Sequence, residues 1–332
     1  MALVTQGSFN LFYEEPEADR WLPFDRFPRR VIRRLWRGPW QPSGHMRVFL
    51  NLMSGLDRIG APYRVNDYRH MRSNQEELAC LIGKPHVLAS IPARVPLLFG
   101  PSIYNHPVDD EHLPRHHAIR QVLVPSLWVQ KMFEQIWPGL VTAWPVGIDI
   151  DRWKPSAAAS KDIDVLVYDK IFRERESFHP SILDPLLEEL RRRRLSVVQL
   201  RYGTYFEHQL LALTRRARSM VYLSRHETQG IALQQTLASG VPVLAYDPGG
   251  EWQNREYRER GVRFGPVTSV PYWDDRCGVR FVGTDDLLER LATFWLGVRT
   301  DTFAPRQMIL DRKLTLEDSA RAYCDLAAKY SC

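Results

Sequence analysis

Short runs of apolar residues alternate along the chain with longer stretches in which apolar residues recur at helical spacing. This alternation is typical of an α/β protein with parallel sheets, because each buried strand is followed by an amphipathic helix that covers it. Residues 46–58 have helical spacing and end near Gly60, a natural helix stop. Ser126 is a candidate N-cap for the helix that follows it. In this half the pattern predicts strands at Ala2–Val4, His86–Ser90, Val95–Phe99, Gln121–Val124 and Val141–Trp144.

The character of the chain changes at residues 151–162, where DRWKPSAAASKD is small, polar and proline-bearing, as a linker would be. The alternation then restarts with a predicted helix at Pro180–Arg194. Strands are predicted at Ile163–Tyr168, Ser196–Tyr202, Met220–Ser224 and Pro242–Tyr246. We therefore expect two consecutive Rossmann-like domains, one over residues 1–150 and one that starts at residue 163.

The composition fits this organisation. A chain of 332 residues is long enough for two cores, and 44% hydrophobic with 25% charged residues is the balance of a globular protein. The four cysteines are scattered without a CxxC pair, so we expect neither a zinc site nor a disulfide framework, and a reducing cytoplasmic location is the simplest interpretation. No apolar run reaches the roughly 18 residues that span a bilayer.

Arginines mixed with tryptophans and phenylalanines occupy Arg20–Trp40, where a loop should be short. Two interpretations stay open. The segment is either an excursion packed on its own domain, or an interfacial element for peripheral contact with an anionic membrane or for acceptor binding. The net charge of +6 would suit nucleic acid, an anionic membrane surface or a phosphate-bearing substrate, and composition alone does not choose among them. The clusters Arg29–Arg34 and Arg191–Arg194 are separate and lack an accompanying nucleic-acid motif, so no nucleic-acid partner is expected.

The stretch Tyr222–Gly240 has the order strand, polar loop, helix, with the helix beginning near Gly230. In open α/β sheets ligands bind beyond the carboxyl ends of the strands, where free helix N–H groups suit phosphate or sugar oxygens. Gly230 would allow close approach to the backbone. Glu227 would repel phosphate but accept hydrogen bonds from sugar hydroxyls. The alternative is that Glu227 and Thr228 only cap the helix.

A second candidate lies at Tyr168–Arg175, after the first strand of the second half. Lys170 and Arg175 would pair there with a diphosphate and stabilise the charge that builds on it as it leaves. The alternative is a solvated basic loop.

At these residues the sequence resembles the group 1 (family 4-like) glycosyltransferases. WPVGIDIDRWKP at 144–155 looks like the interdomain signature of that family, and HETQGIALQQTLASGVPVLAYDPGGEW at 226–252 looks like its donor-binding core. Glu227 matches the first glutamate of the E-x7-E motif. The resemblance implies a GT-B fold, in which two Rossmann-like domains face each other across a cleft. It also implies that the second domain ends near residue 305 and that closing helices at 306–332 pack back toward the first.

The resemblance further implies transfer of a sugar from a nucleotide-sugar to a hydroxyl acceptor, with retention of configuration. It implies neither a metal ion nor a cofactor beyond the nucleotide-sugar co-substrate. Glu227 and the Thr228–Gly230 backbone would orient the sugar, and Lys170 with Arg175 would stabilise the diphosphate. Gln229 and Gly147 lie in the matched motifs and are expected to bind the donor.

Two departures from the family pattern bear on donor binding. The second glutamate of E-x7-E, which holds the ribose in the family, is Gln235 here; an amide still hydrogen-bonds a hydroxyl, but less strongly. The usual arginine and lysine appear in reverse order as Lys170 and Arg175. In the first half, His106 is a candidate for binding donor or acceptor sugar. The neighbouring aspartates do not have the spacing of a DxD metal motif.

Two other classes of function stay open. A nucleotide-sugar epimerase would hold the nucleotide similarly but need no acceptor. A non-catalytic binding or partner subunit with the same fold is kept open by Gln235. The donor base, the sugar and the acceptor (glycan, lipid-linked or protein) depend on side-chain positions that a fold does not fix.

Overall fold

The computed structural model describes residues 9–15, 43–83, 85–101, 104–252 and 254–330. Its contacts divide the chain into two units. The first contains the described residues up to Pro125, residues 133–144 and those from Ser319 onward, and the second contains residues 126–132 and 145–318. The predicted strand Ala2–Val4 and the segment Arg20–Trp40 lie outside the described residues.

The first unit contains a six-stranded, all-parallel sheet with the order β2-β1-β3-β4-β5-β6. Its strands are β1 (Phe9–Phe12), β2 (Tyr63–Val65), β3 (Ala79–Leu81), β4 (Leu97–Phe99), β5 (Ile119–Val124) and β6 (Val141–Ala143). The helices in this part of the sequence are α1 (Gly44–Ile59), α2 (Tyr68–Ser73), α3 (Leu113–His116) and α4 (Leu127–Glu134).

The structure confirms α1, and Gly60 ends it in the left-handed conformation with φ 69°. The predicted strand His86–Ser90 is wrong, because Pro85–Ser90 forms a 3-10 helix that buries only Val87 and Leu88. The strand of this region is β3, a fully buried apolar run that lies earlier in the chain. Ser126 precedes α4, but its hydroxyl is buried without a hydrogen-bond partner and so does not cap the helix.

The last helix, α12 (Leu316–Ala328), contributes its residues from Ser319 onward to the first unit. Trp144 donates from Nε1 to the Ser319 carbonyl at 3.0 Å, and its ring meets that of Tyr323 edge-on with centroids 5.2 Å apart. Beyond the helix, Tyr330 donates to Gln121 Oε1 at 2.6 Å. These contacts tie the end of the chain to the strands and loops of the first unit.

The second unit contains a five-stranded parallel sheet with the order β11-β10-β9-β7-β8. Its strands are β7 (Ile163–Asp169), β8 (Val197–Arg201), β9 (Ala217–Leu223), β10 (Val243–Tyr246) and β11 (Gly278–Phe281). The helices are α5 (Arg175–Phe178), α6 (Asp184–Arg192), α7 (Glu207–Arg216), α8 (Ile231–Ala238), α9 (Arg255–Glu259), α10 (Thr284–Arg299) and α11 (Pro305–Asp311).

Apolar side chains cover both faces of this sheet. Val165 and Val167 of β7 belong to one core cluster and Leu166 to the other, as expected for a parallel strand buried on both sides. Trp153, inside the segment predicted as a linker, is 1% exposed and packs in the same cluster as Leu166. Residues 151–162 are therefore part of the second unit.

The strand order of this sheet reverses at β7, since β8 lies on one side of it and β9 on the other. Helices that follow such strands leave in opposite directions, which opens a crevice at the carboxyl ends. The loops after β7 and β9 are therefore where the fold itself directs a ligand.

Candidate active site

Lys170 and Glu227 meet at this reversal point. Lys170 directly follows β7 and its backbone N–H donates to the Leu223 carbonyl at the end of β9, at 2.8 Å. Its Nζ lies 2.7 Å from the Glu227 carboxylate. The side chains are 21% and 6% exposed, so this is a largely desolvated ion pair.

The whole of Glu227 is held in place. Its Oε1 accepts hydrogen bonds from Tyr222 OH at 2.8 Å and from Ser224 Oγ at 3.0 Å. Its backbone N–H donates to the Thr268 carbonyl at 2.9 Å, and its carbonyl accepts from Trp128 Nε1 at 2.8 Å. Gly230 is the N-cap of α8, and no side chain caps this helix, so Glu227 is not a helix cap.

A group of buried tyrosines supports this carboxylate. The Tyr222 ring stacks on Tyr168 with centroids 5.2 Å apart, and Tyr168 OH is hydrogen-bonded to Tyr205 OH at 2.8 Å. Burial, reinforced by the nearby Glu227 carboxylate, raises the pKa of Tyr222 and of Tyr168 well above the ordinary value. Burial also raises the pKa of Tyr205 to about 12. All three therefore stay protonated at neutral pH, and Tyr222 keeps its proton for Glu227.

A cavity of about 350 Å³ opens beside Lys170. It is lined by Asp169, Lys170, Ile171, Phe172, Arg175, Arg201, Tyr202, Gly203 and Thr204. Arg175 donates to Asp169 Oδ2 at 2.7 Å and to the Ile171 carbonyl at 2.6 Å. These two bonds fix the guanidinium, which has five N–H donors, against the wall of the cavity. With three cations and one carboxylate in its lining, the cavity is suited to a phosphate-bearing anion.

The loop before α8 is shaped by the backbone conformation of Gly230 and by the side-chain hydrogen bonds of Gln229. Gly230 has φ 70°, which a residue with a side chain rarely adopts, and Thr228 is exposed. The Gln229 amide is used within the protein: Oε1 accepts from Val146 N–H at 3.2 Å and Nε2 donates to Gln234 at 3.0 Å. The Gln229 side chain thus shapes the loop, and its predicted role toward the donor stays a prediction.

Gln235 lies on α8 and is 5% exposed. Its Nε2 donates to Glu207 Oε1 at 3.2 Å, and Glu207 Oε2 lies 3.7 Å from Arg152 Nη2. Glu207 is the first residue of α7 and matches no motif. The sequence does not predict its contact with a residue 28 positions away.

Two other predicted site residues, Gly147 and His106, have structural roles within their own units. A Cβ on Gly147 would lie 2.5 Å from the Thr315 carbonyl oxygen, so glycine is needed where the chain passes close to that segment. His106, in the first unit, is 4% exposed, and its Nδ1 accepts from Val108 N–H at 3.1 Å at the start of a 3-10 turn. Ligand binding by either residue stays a prediction.

Among the residues that the structure describes, no group of three or more His, Cys, Asp or Glu side chains is placed to hold a metal ion. None of the described helices combines the length and the apolar character needed to cross a membrane.

No protein-family model matches the chain, and no curated protein sequence does so either. Solved structures do match over nearly its whole length. AviGT4, a glycosyltransferase of avilamycin A biosynthesis, is 13% identical with a TM-score of 0.54, and the alignment covers 97% of this chain and 98% of that one. HepE from Anabaena, solved in complex with UDP and glucose, is 13% identical with a TM-score of 0.56, covering 97% and 100%. WaaB, a lipopolysaccharide outer core galactosyltransferase, is 8% identical with a TM-score of 0.52, also covering 97% and 100%.

These similarities confirm the predicted fold class. The chain has the GT-B fold of nucleotide-sugar glycosyltransferases, with two parallel Rossmann-like sheets. The GT-B fold that the sequence motifs implied is thus confirmed, and the narrower family 4-like assignment stays a prediction.

Proposed function

We propose that the chain is a glycosyltransferase that binds a nucleoside-diphosphate sugar on its second unit and transfers the sugar to a hydroxyl acceptor. One observation carries this proposal: the Lys170–Glu227 ion pair lies at the reversal point of the sheet, beside a cavity lined by three cations. The binding of UDP and glucose by HepE, which shares the fold, supports the same ligand class.

In this proposal the diphosphate occupies the cation-lined cavity. As the bond from the anomeric carbon to the phosphate oxygen breaks, negative charge grows on the diphosphate, and cations already in place stabilise it. Arg175 is suited to this role because Asp169 and the Ile171 carbonyl hold it before any ligand arrives. Lys170 reaches both the cavity and Glu227, so it links the leaving group to the sugar.

Glu227 is proposed to accept hydrogen bonds from hydroxyls of the transferred sugar, with the Thr228–Gly230 backbone beside it. Tyr222 and Ser224 continue to hold the carboxylate when an anion competes for the Lys170 ammonium. Fixed geometry of this kind contributes to rate because the sugar is oriented before the reaction begins.

Retention of configuration and metal-independent transfer belong to the same proposal, supported by the sequence resemblance to the group 1 glycosyltransferases. An NMR time course of the product anomer tests the first point. Turnover after exhaustive EDTA treatment tests the second. A product of inverted configuration would exclude the retaining mechanism. Activity that only a divalent ion restores would exclude metal-independent transfer.

The central experiment has a binding arm and a turnover arm. Thermal stabilisation by UDP, GDP, ADP and their sugar conjugates identifies the donor, because a ligand specific for the folded state raises the melting temperature. With that donor, Glu227→Gln should lower kcat by about 10- to 100-fold, the loss of one or two hydrogen bonds to a charged group. Stabilisation by the nucleoside diphosphate alone should persist. Glu188→Gln, an exposed carboxylate of α6, is the matched control.

Near-normal turnover of Glu227→Gln would remove this residue from the proposed site. Binding of a nucleotide-sugar without transfer to any acceptor would favour the non-catalytic alternative. Conversion of the donor sugar without an acceptor would favour an epimerase.

A further inference from the structure

A carboxylate of α7 and an amide of α8 are hydrogen-bonded to each other in the second unit. Gln235 lies five residues beyond Gly230, which precedes the first residue of α8, about 8 Å further along the helix axis. There its Nε2 donates to Glu207 at 3.2 Å. Glu207 follows Arg201, the last residue of β8, by six positions, and the intervening segment lines the cavity through Thr204.

This position has a general meaning in doubly wound domains. A phosphate is bound by the loop after the first strand, and an acidic residue beyond the second strand accepts hydrogen bonds from the ribose hydroxyls. In the second unit β7 is the first strand and β8 the second, and they are neighbours in the sheet. Lys170 and Arg175 follow β7, and Glu207 follows β8.

We infer that Glu207 accepts hydrogen bonds from the ribose hydroxyls of the bound nucleotide, and that Gln235 positions this carboxylate from α8. The inference rests on the proposed function, since it assigns a further part of the same donor. In this inference Gln235 does not bind the ribose itself. Its amide donates a hydrogen bond that orients the Glu207 carboxylate.

Chemistry and exposure favour Glu207 over Gln235 as the acceptor. A charged acceptor forms hydrogen bonds about twice as strong as a neutral one, and a carboxylate can accept about four. The Glu207 side chain is 20% exposed, which allows contact with a ligand, whereas Gln235 is 5% exposed.

The test removes one hydroxyl from the ligand and one carboxylate from the protein. Dissociation constants of UDP, 2′-deoxy-UDP and 3′-deoxy-UDP are measured for the wild type and for Glu207→Ala. If GDP or ADP raises the melting temperature more than UDP does, that nucleotide and its 2′-deoxy and 3′-deoxy forms are used instead. The wild type should bind at least one deoxy form about 10- to 100-fold more weakly than the ribonucleotide, which is the loss of a hydrogen bond to a charged group. Glu207→Ala should bind all three equally, within about twofold.

Two controls separate this role from a structural one. Asp285→Ala removes an exposed first-turn acid from α10 of the same unit and should keep the discrimination. Glu207→Gln keeps the size of the side chain and replaces the charged acceptor with a neutral one. Its preference for the ribonucleotide over the deoxy forms should lie between those of the wild type and Glu207→Ala.

The possible outcomes are distinct. If Glu207→Ala weakens the ribo and deoxy forms by the same factor, or if the wild type does not discriminate, the inference is overturned while the proposed function stands. If no nucleoside diphosphate binds the wild type, the proposed function fails and the inference fails with it.

Discussion

The Lys170–Glu227 pair allows a prediction about stability that does not depend on any ligand. Lys170→Met removes the cation and leaves the carboxylate, whereas Glu227→Gln removes the anion and leaves the ammonium. The two side chains differ in exposure, because that of Glu227 is 6% exposed and that of Lys170 is 21% exposed. We therefore expect the two single variants to lose unequal amounts of stability.

The magnitudes follow from what each variant leaves behind. Removing one partner of a fully buried pair costs about 3–5 kcal/mol. In Lys170→Met the carboxylate keeps its hydrogen bonds from Tyr222 and Ser224, so the expected loss is about 2–3 kcal/mol. In Glu227→Gln the lysine reaches water and stays near the Tyr202 ring, 4.7 Å from its centroid, so the expected loss is about 0.5–1 kcal/mol.

Calorimetry of the wild type, both single variants and the double variant Lys170→Met/Glu227→Gln measures these differences. For a domain of this size the melting temperature should fall by about 5–10 °C in Lys170→Met and by about 1–4 °C in Glu227→Gln. The double variant leaves no unpaired charge and should be more stable than Lys170→Met, with a coupling of about 1–2 kcal/mol. Equal losses in the two single variants, or a double variant no better than Lys170→Met, would refute the reasoning.

Three further predictions concern the surroundings of the site. Gln235→Glu should destabilise the fold by about 1 kcal/mol and weaken UDP binding, since it places a second carboxylate against Glu207; a gain in UDP affinity on titration would contradict this. Tyr222→Phe keeps the ring but loses the hydroxyl that donates to Glu227, so calorimetry should show a loss of about 1–2 kcal/mol and turnover should fall; unchanged values would exclude a supporting role. Glu189, whose pKa is lowered to about 2 by hydrogen bonds from two arginines, contributes stability above its ordinary pKa of 4.5 that is lost as the pH falls toward 2. Glu189→Gln should therefore melt with a weaker pH dependence between pH 5 and 3, and parallel curves for variant and wild type would count against this.

The fold and the centre of the candidate site could be predicted because they depend on local patterns. Strands and helices follow from apolar periodicity. Lys170 directly follows the buried strand β7, and Glu227 lies in the loop after the buried strand β9. Parallel strands end at the same edge of a sheet, so residues 57 positions apart meet once the strand order is known. The strand error at His86–Ser90 arose because a short apolar run beside a proline has no decisive period.

The partners of these residues could not be predicted in the same way. Tyr222 lies within an apolar strand, where an aromatic residue is expected for packing alone, and only the stacked geometry shows its hydroxyl directed at Glu227. The contact of Glu207 with Gln235 depends on how α7 and α8 pack, which no spacing within either helix encodes.

The charge balance of the proposed donor site explains why glutamine at position 235 is compatible with nucleotide binding. The cavity lining and the ion pairs of Glu227 and Glu207 together contain four cations and three carboxylates, a balance of 4 − 3 = +1: Lys170, Arg175, Arg201 and Arg152 against Asp169, Glu227 and Glu207. A glutamate at position 235 would reduce this to zero and would repel Glu207 across a hydrogen-bond distance. Since the proposed ligand is an anion, a neutral amide that orients one carboxylate serves it better than two adjacent carboxylates would. Gln235 and Glu207 together therefore supply one carboxylate to the proposed donor site. In this proposal Glu207 takes the place of the second glutamate of the E-x7-E motif, which is Gln235 in this chain.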